Sequence, residues 1–313
     1  MDSTSSLPRG FLWGAVRAGI KASGRADLSA IIAPATAAAA ALYTTNKIQA
    51  APLLIDRRHL TANGGRVHTV LINAGNANCA TGEAGIAAAE QCCAAAAEAF
   101  GCALEAVFPS STGIIGVPLP VEKVRAALGD TADHFAGIAA AIMTTDTRPK
   151  TAHAIVDIDG RQVRIAGVAK GAGMIHPQLA AAPHATMLVY LCTDAAAEPA
   201  LLERLLIKAG ETSFNRISID GDTSTNDTVL LLASGAAGVT LNDENAGGFA
   251  EALSEVCTSL AKQIVADAEG ATHLVELNIQ GAASDADALR IAKAIAHSPL
   301  VKTAWAGSDP NWG

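Results

Sequence analysis

A threonine stands where the chain passes from a Gly-rich turn into an apolar strand, a position that suits a nucleophile. The segment from Lys170 to Asp194 reads KGAGMIHPQLAAAPHATMLVYLCTD. Cleavage of the Ala185-Thr186 peptide bond would give Thr186 a free α-amine, whose pKa of about 7.7 lets it act as a base near neutral pH. Because that amine would lie beside the Thr186 hydroxyl, the segment indicates a candidate N-terminal threonine nucleophile.

A second segment, PSSTGIIG from Pro109 to Gly116, places hydroxyl groups and glycines after a short apolar strand. The Thr112 hydroxyl and the Gly113 N–H are donors of the kind that stabilise a developing oxyanion. The same pattern fits a strand-to-helix loop with an N-cap. From these residues alone, the loop is the simpler interpretation.

Three further positions are candidates for substrate contact, each with a structural alternative. Met143 to Thr147, which include Thr144, fit either a ligand-contacting corner or a polar helix end before Pro149. Lys170 precedes two glycines, but no GK[ST] follows, which disfavours a phosphate-binding loop. Glu269 follows a long helical pattern and fits either a contact with a substrate amine or a solvated acid.

Metal and disulfide chemistry are not expected. The loop from Asp220 to Asp227 carries three aspartates but lacks the spacing and the bidentate glutamate of a calcium-binding EF-hand. The eight histidines have no acidic partners at a recognisable spacing, and the six cysteines form no CxxC pair. We therefore expect no metal and no cofactor, and we expect the cysteines to be reduced and structural.

Composition limits the class of partner. The 313 residues are 50% apolar and 4% aromatic, with a formal net charge of -8 and no cluster of lysines and arginines. Acidic charge disfavours nucleic acid and anionic membrane as partners. The Ala-rich run from Ala33 to Leu42 is too short to span a bilayer. We expect a cytoplasmic protein that acts on small molecules.

Strand and helix patterns do not alternate strictly, so an α+β sandwich of sheets covered by helices is predicted rather than a doubly wound parallel sheet. The Asp159-Gly160 pair between two alternating runs predicts a hairpin. The predicted strands are Pro52–Ile55, Val67–Ile72, Val107–Pro109, Ala152–Ile158, Gln162–Val168, Thr186–Cys192, Ile217–Ile219, Thr228–Ala233, Leu274–Ile279 and Leu300–Ala304. The predicted helices are Glu83–Phe100, Val121–Leu128, Asp133–Thr144, Pro199–Phe214, Ala246–Val265 and Asp285–Ala296.

The order and wording of the motifs resemble those of the ornithine acetyltransferase family, the bifunctional glutamate N-acetyltransferases of arginine biosynthesis. The resemblance extends over essentially the whole chain and is carried by Gly10-Phe11, Ala18–Lys21, Thr44–Lys47, Asn73–Gly82, Ser111–Gly116, Met143–Thr147, Lys170–Ile175, Ala185–Leu188, Phe214-Asn215, Asp222–Thr228, Glu269–Ala271 and Ser298–Ala304.

This resemblance implies a layered αββα-type sandwich with an N-terminal nucleophile. It implies self-cleavage at Ala185-Thr186 into an α-chain region (1–185) and a β-chain region (186–313), which assemble as a heterotetramer. Thr186 would take an acetyl group from N-acetylornithine and pass it to glutamate, with Thr112 and Gly113 as the oxyanion hole. The resemblance also implies that Thr144, Lys170, Thr186 and Glu269 bind substrate. Acetyl-CoA as a second acetyl donor is left open.

Two departures from the family pattern bear on activity. About five residues, Ala181 to Ala185, are inserted before Thr186, and members of the family continue beyond the position of Gly313 with further substrate-binding residues. We therefore expect a β-chain region, and with it a C-terminal α/β domain, that is truncated. An N-terminal-nucleophile hydrolase of the aminopeptidase or amidase type, and an uncleaved inactive remnant, remain the alternatives to the transferase.

Overall fold

A computed structural model of the chain describes residues 6–128, 132–133, 135–177 and 187–310. The strands in these ranges are β1 (Leu12–Val16), β2 (Leu28–Tyr43), β3 (Arg66–Asn76), β4 (Val107–Ile114), β5 (Ala132–Asp133), β6 (Lys150–Ile158), β7 (Arg161–Lys170), β8 (Leu188–Thr193) and β9 (Thr228–Ala233). The α-helices are α1 (Ala51–Ala62), α2 (Gly82–Phe100), α3 (Val121–Ala127), α4 (Phe135–Ala141), α5 (Pro199–Thr212), α6 (Gly247–Ala266), α7 (Asp285–Ala296) and α8 (Pro299–Gly307).

The described strands form one mixed sheet in the order β4-β3-β2-β9-β8-β7-β6, and β1 pairs with both β2 and β5. β3 runs parallel to β4 and β8 runs parallel to β9, whereas the other pairs are antiparallel. Asp159 and Gly160 join β6 to β7 with φ angles of 54° and 75°. Two positive φ angles are what a type I′ hairpin requires, so the predicted hairpin is confirmed.

The central strands β8 and β9 are buried along their whole length. Val189 and Leu231 belong to the core beneath α5 and α6, while Tyr190 and Leu230 belong to the core on the opposite face. A strand that is covered on both faces needs apolar residues at every position, which explains the continuous apolar runs in the sequence. The predicted layered α+β fold is confirmed.

Helices α1 to α3 cover β3 and β4 on the other flank of the sheet. The side of α2 that packs there is made of small residues, among them Ala89, Cys93 and Ala96. Because these side chains extend little beyond the backbone, the helix packs close to the sheet. This packing fixes β4, the strand whose last residues include Thr112 and Gly113.

Four strand predictions are wrong. Pro52–Ile55 lies in α1 and Leu300–Ala304 lies in α8. Each helix has a proline in its first turn, Pro52 or Pro299, where a backbone N–H would have no partner within the helix. Ile217–Ile219 and Leu274–Ile279 form no regular element.

No helix within the described ranges has the length and apolar character needed to cross a bilayer.

The sequence pattern also misses β1 and β2. The run from Ala33 to Leu42 lies inside β2, although alanine has a weak intrinsic preference for strands. Pairing with β3 on one side and β9 on the other overrides that preference.

All six cysteines are free thiols and five of them are buried. Burial raises the pKa of the Cys92 thiol to about 12.

Candidate active site

Thr112 and Gly113 lie at the end of β4, beside the end of β3. Thr112 is buried, and Gly113 pairs with Gly75. Gly113 has a φ of +135°, and a Cβ at this position would come within 2.3 Å of the Gly75 carbonyl carbon. Only glycine allows this approach of the two strands. The loop interpretation of 109–116 is wrong over most of its length, since the strand continues to Ile114.

Lys170 is the last residue of β7, and its Nζ donates a hydrogen bond to Thr112 Oγ1 at 3.2 Å. The side chain is only 3% exposed. Burial lowers the pKa of the Lys170 ammonium, and the charges of Asp146 and Asp227 oppose that change. A hydroxyl that accepts a bond from an ammonium keeps its own proton for another acceptor. The contact thus leaves the Thr112 hydroxyl as a donor, which is the property an oxyanion hole needs.

Strand β8 begins beside Lys170. Leu188 pairs with Lys170 on one side and with Thr228 on the other. The Thr228 N–H donates to the Met187 carbonyl oxygen at 2.9 Å, which extends the pairing by one residue. Met187 is the first described residue of this segment, so the predicted cleavage pair Ala185-Thr186 lies outside the described residues.

Asp227 comes directly before β9 and is completely buried. Burial raises the pKa of its carboxyl well above the ordinary value, while the Lys170 charge and the Thr44 hydroxyl act in the opposite direction. The aspartate-rich loop 220–227, which lacks the EF-hand spacing, therefore contributes a buried carboxyl close enough to Lys170 to interact with its charge.

The corner that carries Thr144 is attached to the turn after Lys170 through one carboxylate. The Thr144 N–H donates to Asp146 Oδ2 at 3.0 Å, and the Gly171 N–H donates to Asp146 Oδ1 at 2.7 Å. Burial opposes ionisation of Asp146, but the charges of Lys170 and Lys150 outweigh it and lower the pKa of the carboxyl. Asp146 is therefore an anion that joins two of the predicted substrate positions.

Glu269 reaches the same turn from the end of α6. Its N–H donates to the Ala172 carbonyl oxygen at 2.8 Å. Its carboxylate lies against Gly173, where a Cβ would come within 2.6 Å of Glu269 Oε1. The side chain is exposed, so its charge is available to a ligand.

Lys21 adds a second cation near Gly113. Its Cγ packs against Gly75, and its Nζ donates to the carbonyl oxygens of Ala141 at 2.6 Å and Ala26 at 3.0 Å. Burial lowers the pKa of Lys21 to about 8, with the charge of Asp27 opposing. This lysine connects the end of α4 to the strand end that carries the glycine pair.

The structure brings the described candidates together to different degrees. Lys170 contacts Thr112 directly, whereas Thr144 and Glu269 meet the 171–173 turn through backbone and carboxylate contacts. The site also contains ionisable groups that the sequence patterns did not single out: Asp146, Lys150 and Asp227, which are buried, and Lys21, which is half-buried. In the sequence, each of these residues is only a single charge among hydroxyl-bearing or apolar neighbours. Many solvent-exposed residues have the same surroundings, so this pattern does not identify a site.

Among the described residues, no group of three or more histidine, cysteine, aspartate or glutamate side chains is placed to hold a metal ion. The polar groups of the site are instead an ammonium, a hydroxyl, backbone N–H groups and carboxylates. Such a set can bind a zwitterionic or anionic small molecule and stabilise charge on a carbonyl oxygen.

Comparison with known proteins gives matches over nearly the whole chain. The arginine biosynthesis bifunctional protein ArgJ of Geobacter sulfurreducens is 49% identical over 316 residues, covering 97% of this chain and 78% of that protein. The protein of the same name from Shouchella clausii is 47% identical over 310 residues, covering 97% of this chain and 74% of the relative.

Solved structures show the same relation. A crystal structure of arginine biosynthesis bifunctional protein ArgJ from Bacillus halodurans matches with a TM-score of 0.53 at 35% identity, covering 55% of this chain and 92% of that one. An L-aminopeptidase D-Ala-esterase/amidase from Ochrobactrum anthropi, a variant of the Ntn hydrolase fold, matches with a TM-score of 0.52 at 15% identity over 85% of this chain and 87% of that one. This second likeness concerns the fold alone.

The family model that matches the chain is that of the ArgJ family, and the match spans residues 12–313. With the family match and the identities of its relatives, the predicted membership is confirmed: this chain belongs to the ArgJ family.

Proposed function

We propose that this protein is a glutamate N-acetyltransferase that moves an acetyl group from N-acetylornithine to glutamate through an acetyl-threonine intermediate. The observation that carries the proposal is the 3.2 Å hydrogen bond from Lys170 Nζ to Thr112 Oγ1, beside the start of β8. This contact supports the assignment of Thr112 as an oxyanion donor, because Lys170 pairs with Leu188, two residues after Thr186 in the chain. The names of the ArgJ relatives support the assignment to arginine biosynthesis.

In the first half-reaction, the free α-amine of Thr186 takes the proton from the Thr186 hydroxyl as the oxygen attacks the acetyl carbonyl of N-acetylornithine. The Thr112 hydroxyl and the Gly113 N–H stabilise the oxyanion of the tetrahedral intermediate. The C–N bond then breaks, and ornithine leaves with the proton that the α-amine had accepted. The products of this step are ornithine and an acetyl ester of Thr186.

The second half-reaction reverses these steps with a different amine. The amino group of glutamate attacks the ester carbonyl, the same oxyanion donors act, and the proton that glutamate loses returns to the Thr186 oxygen by way of the α-amine. N-acetylglutamate leaves and the free threonine is restored. Water in place of glutamate would release acetate, which is the hydrolase alternative.

Three side chains are assigned to substrate binding. The Lys170 ammonium suits the α-carboxylate that N-acetylornithine and glutamate share. The exposed Glu269 carboxylate suits the side-chain ammonium of N-acetylornithine, and the Thr144 hydroxyl completes the set. This chemistry requires no cofactor. Acetyl-CoA is a second candidate acetyl donor, and an assay with acetyl-CoA and glutamate decides whether it is used.

Activation requires the cut at Ala185-Thr186, which divides the chain into 1–185 and 186–313. Pairing of β8 with β7 would hold the two products together after cleavage. We infer that the pieces stay together and pair as a heterotetramer in the cytoplasm. We expect the five residues from Ala181 to Ala185, an insertion relative to the family pattern, to slow self-cleavage.

The test combines two assays on the purified full chain. N-acetylornithine with glutamate should give N-acetylglutamate, and N-acetylornithine alone should release one ornithine per site and then stop. Thr186→Ala should remove both cleavage and transfer, whereas Thr258→Ala on α6 should change neither. Continuous acetate release would identify a hydrolase, and an uncut chain without product would identify an inactive remnant.

A further inference from the structure

Three charged side chains outside the reacting atoms form a buried ionic network: Asp146, Lys150 and Asp267. We propose that this buried ionic network is the positioning device of the acetyl-transfer site. It holds Thr144, Lys170 and Glu269 in one arrangement, and it sets how the Lys170 charge responds to pH. The inference rests on the proposed function, because the positioned residues are the proposed substrate contacts.

Asp146 joins two of the three substrate positions directly. One carboxylate oxygen accepts from the Thr144 N–H at 3.0 Å, and the other accepts from the Gly171 N–H at 2.7 Å. Gly171 follows Lys170 in the chain, so its backbone position decides where the lysine leaves β7. A single carboxylate thereby fixes the Thr144 corner relative to Lys170.

Lys150 and Asp267 extend the network to the third position. Lys150 Nζ donates to Asp146 Oδ1 at 2.6 Å and to Asp267 Oδ2 at 2.5 Å, and the lysine is 1% exposed. Asp267 ends α6, accepts hydrogen bonds from the Thr147 N–H and hydroxyl, and stands two residues before Glu269. The direction in which the chain leaves α6 toward Glu269 is therefore set by the same lysine.

A contribution to the stability of the fold does not by itself explain why these three charges are buried. Transfer of charges out of water is costly, and apolar residues of similar volume often stabilise a core as well or better. A buried ion pair does fix geometry, because each partner has few places where its charge can be satisfied. At this position the fixed geometry is that of the substrate contacts.

Charges of both signs surround Lys170, and two of them, Asp146 and Lys150, belong to the network. The groups that act on its ammonium are Asp146 before β6, Asp227 before β9, Lys150 on β6 and Glu269 after α6. Lys21 lies near enough to interact with it as well. The three acids stabilise the ammonium, whereas burial and the neighbouring lysines disfavour it. Asp146 and Lys150 thus act on Lys170 with opposite signs.

The sign of the pH effect follows from these charges. The Lys170 ammonium is present below its pKa and is lost as the pH rises through it, so capture of a carboxylate substrate falls on the alkaline side. Asp146→Asn removes an anion and should move the alkaline limb of kcat/KM for N-acetylornithine to lower pH. Lys150→Met removes a cation and should move it to higher pH. We expect each displacement to be about one pH unit.

The experiment measures this pH profile for the wild type, Asp146→Asn, Lys150→Met and a matched control, Asp194→Asn. Asp194 is also a buried carboxylate with cationic partners, but it lies at the other end of β8. Its variant should leave the alkaline limb in place, and Lys150→Arg, which keeps the charge, should do the same. Asp146→Asn should in addition raise KM by about tenfold, because a charge-assisted contact to a substrate-binding segment is lost.

Displacement of the limb in opposite directions supports the inference, and displacement in one direction or none overturns it. If Lys150→Met does not fold, a limb at lower pH in Asp146→Asn together with an unmoved limb in Lys150→Arg and Asp194→Asn supports the inference, and an unmoved limb in Asp146→Asn overturns it. Wild type that makes no N-acetylglutamate overturns the proposed function and this inference with it. Wild type that is active, with unshifted variants, overturns the inference alone.

Discussion

The two ends of the β7–β8 pair each bury a carboxylate beside basic side chains, yet they are built differently. At one end, Asp194 is completely buried but bonds Arg9, which is half exposed, and Arg164, which is partly exposed. At the other end, Asp146 bonds Lys150 and lies near Lys170, and both lysines are buried. From the register, these ends lie roughly 17 Å apart.

This difference separates an anchoring role from a chemical role. Cations that reach water keep much of their hydration, so the Asp194 end can fasten the N-terminal segment and β7 to β8 at modest cost. Buried lysines have lost that hydration and depend on the groups around them. An anionic substrate beside Lys170 would form a favourable contact with its buried ammonium. At the Asp194 end, the cations already pair with Asp194 and reach water, so an anion would gain less there.

The largest effect is expected from Lys170→Met, which tests the chemical end. Loss of the ammonium removes the carboxylate contact and the alignment of the Thr112 hydroxyl, so kcat/KM for N-acetylornithine should fall by about 10³-fold. Thermal unfolding should change little, because burial of the ammonium is itself costly. Activity retained within tenfold would mean that this end is structural like the other.

Gly113→Ala should come next, with kcat lower by about 10²-fold. The φ of +135° and the contact with the Gly75 backbone leave no room for a methyl group, so the strand ends must separate and the oxyanion donor must move. Gly248→Ala on α6, where a Cβ meets only an ordinary contact with Val156, is the control. Equal kinetics of both variants with the wild type would exclude Gly113 from the oxyanion hole.

A smaller and selective effect is expected from Glu269→Gln. An exposed ion pair contributes about 1 kcal/mol, so KM for N-acetylornithine should rise about fivefold. KM for glutamate should not rise, because glutamate has no side-chain ammonium. Glu276→Gln, also at an exposed position, is the control, and a KM that rises equally for both substrates would contradict the assignment of Glu269.

The smallest effect on activity is expected at the anchoring end, from Arg164→Met. Asp194 keeps Arg9 but loses one partner, so the free energy of unfolding should fall by about 1 kcal/mol, with kcat/KM unchanged. Denaturant unfolding and steady-state kinetics on the same sample decide the matter. A loss of transfer comparable to that of Lys170→Met would remove the distinction between the two ends.

The sequence predicts those parts of the molecule whose signal is local. The Asp159-Gly160 hairpin could be predicted because two residues specify it. Strands β8 and β9 could be predicted because burial on both faces makes nearly every position apolar, apart from Thr193 and Thr228 at their ends. β2 was missed because its alanine-rich run is a strand only in the company of β3 and β9. Pro52–Ile55 and Leu300–Ala304 are too short for their periodicity to separate strand from helix.

The site divides in the same way. Thr112, Thr144, Lys170 and Glu269 can be named from the sequence because the motifs around them resemble those of a known family, whereas each residue by itself also fits a structural role. The ionic network could not, because Lys150 and Asp267 are 117 positions apart and neither has an unusual neighbour. Long-range pairing of single charges leaves no pattern in a sequence, so only the fold reveals it.

Self-cleavage and acetylation of Thr186 are tested most directly by mass spectrometry of the full chain after incubation with N-acetylornithine in the absence of glutamate. We expect a fragment that begins at Thr186 and carries one acetyl group, and addition of glutamate should remove that group as N-acetylglutamate. An intact chain without an acetyl group, or an acetyl group on another residue, would contradict the proposed function.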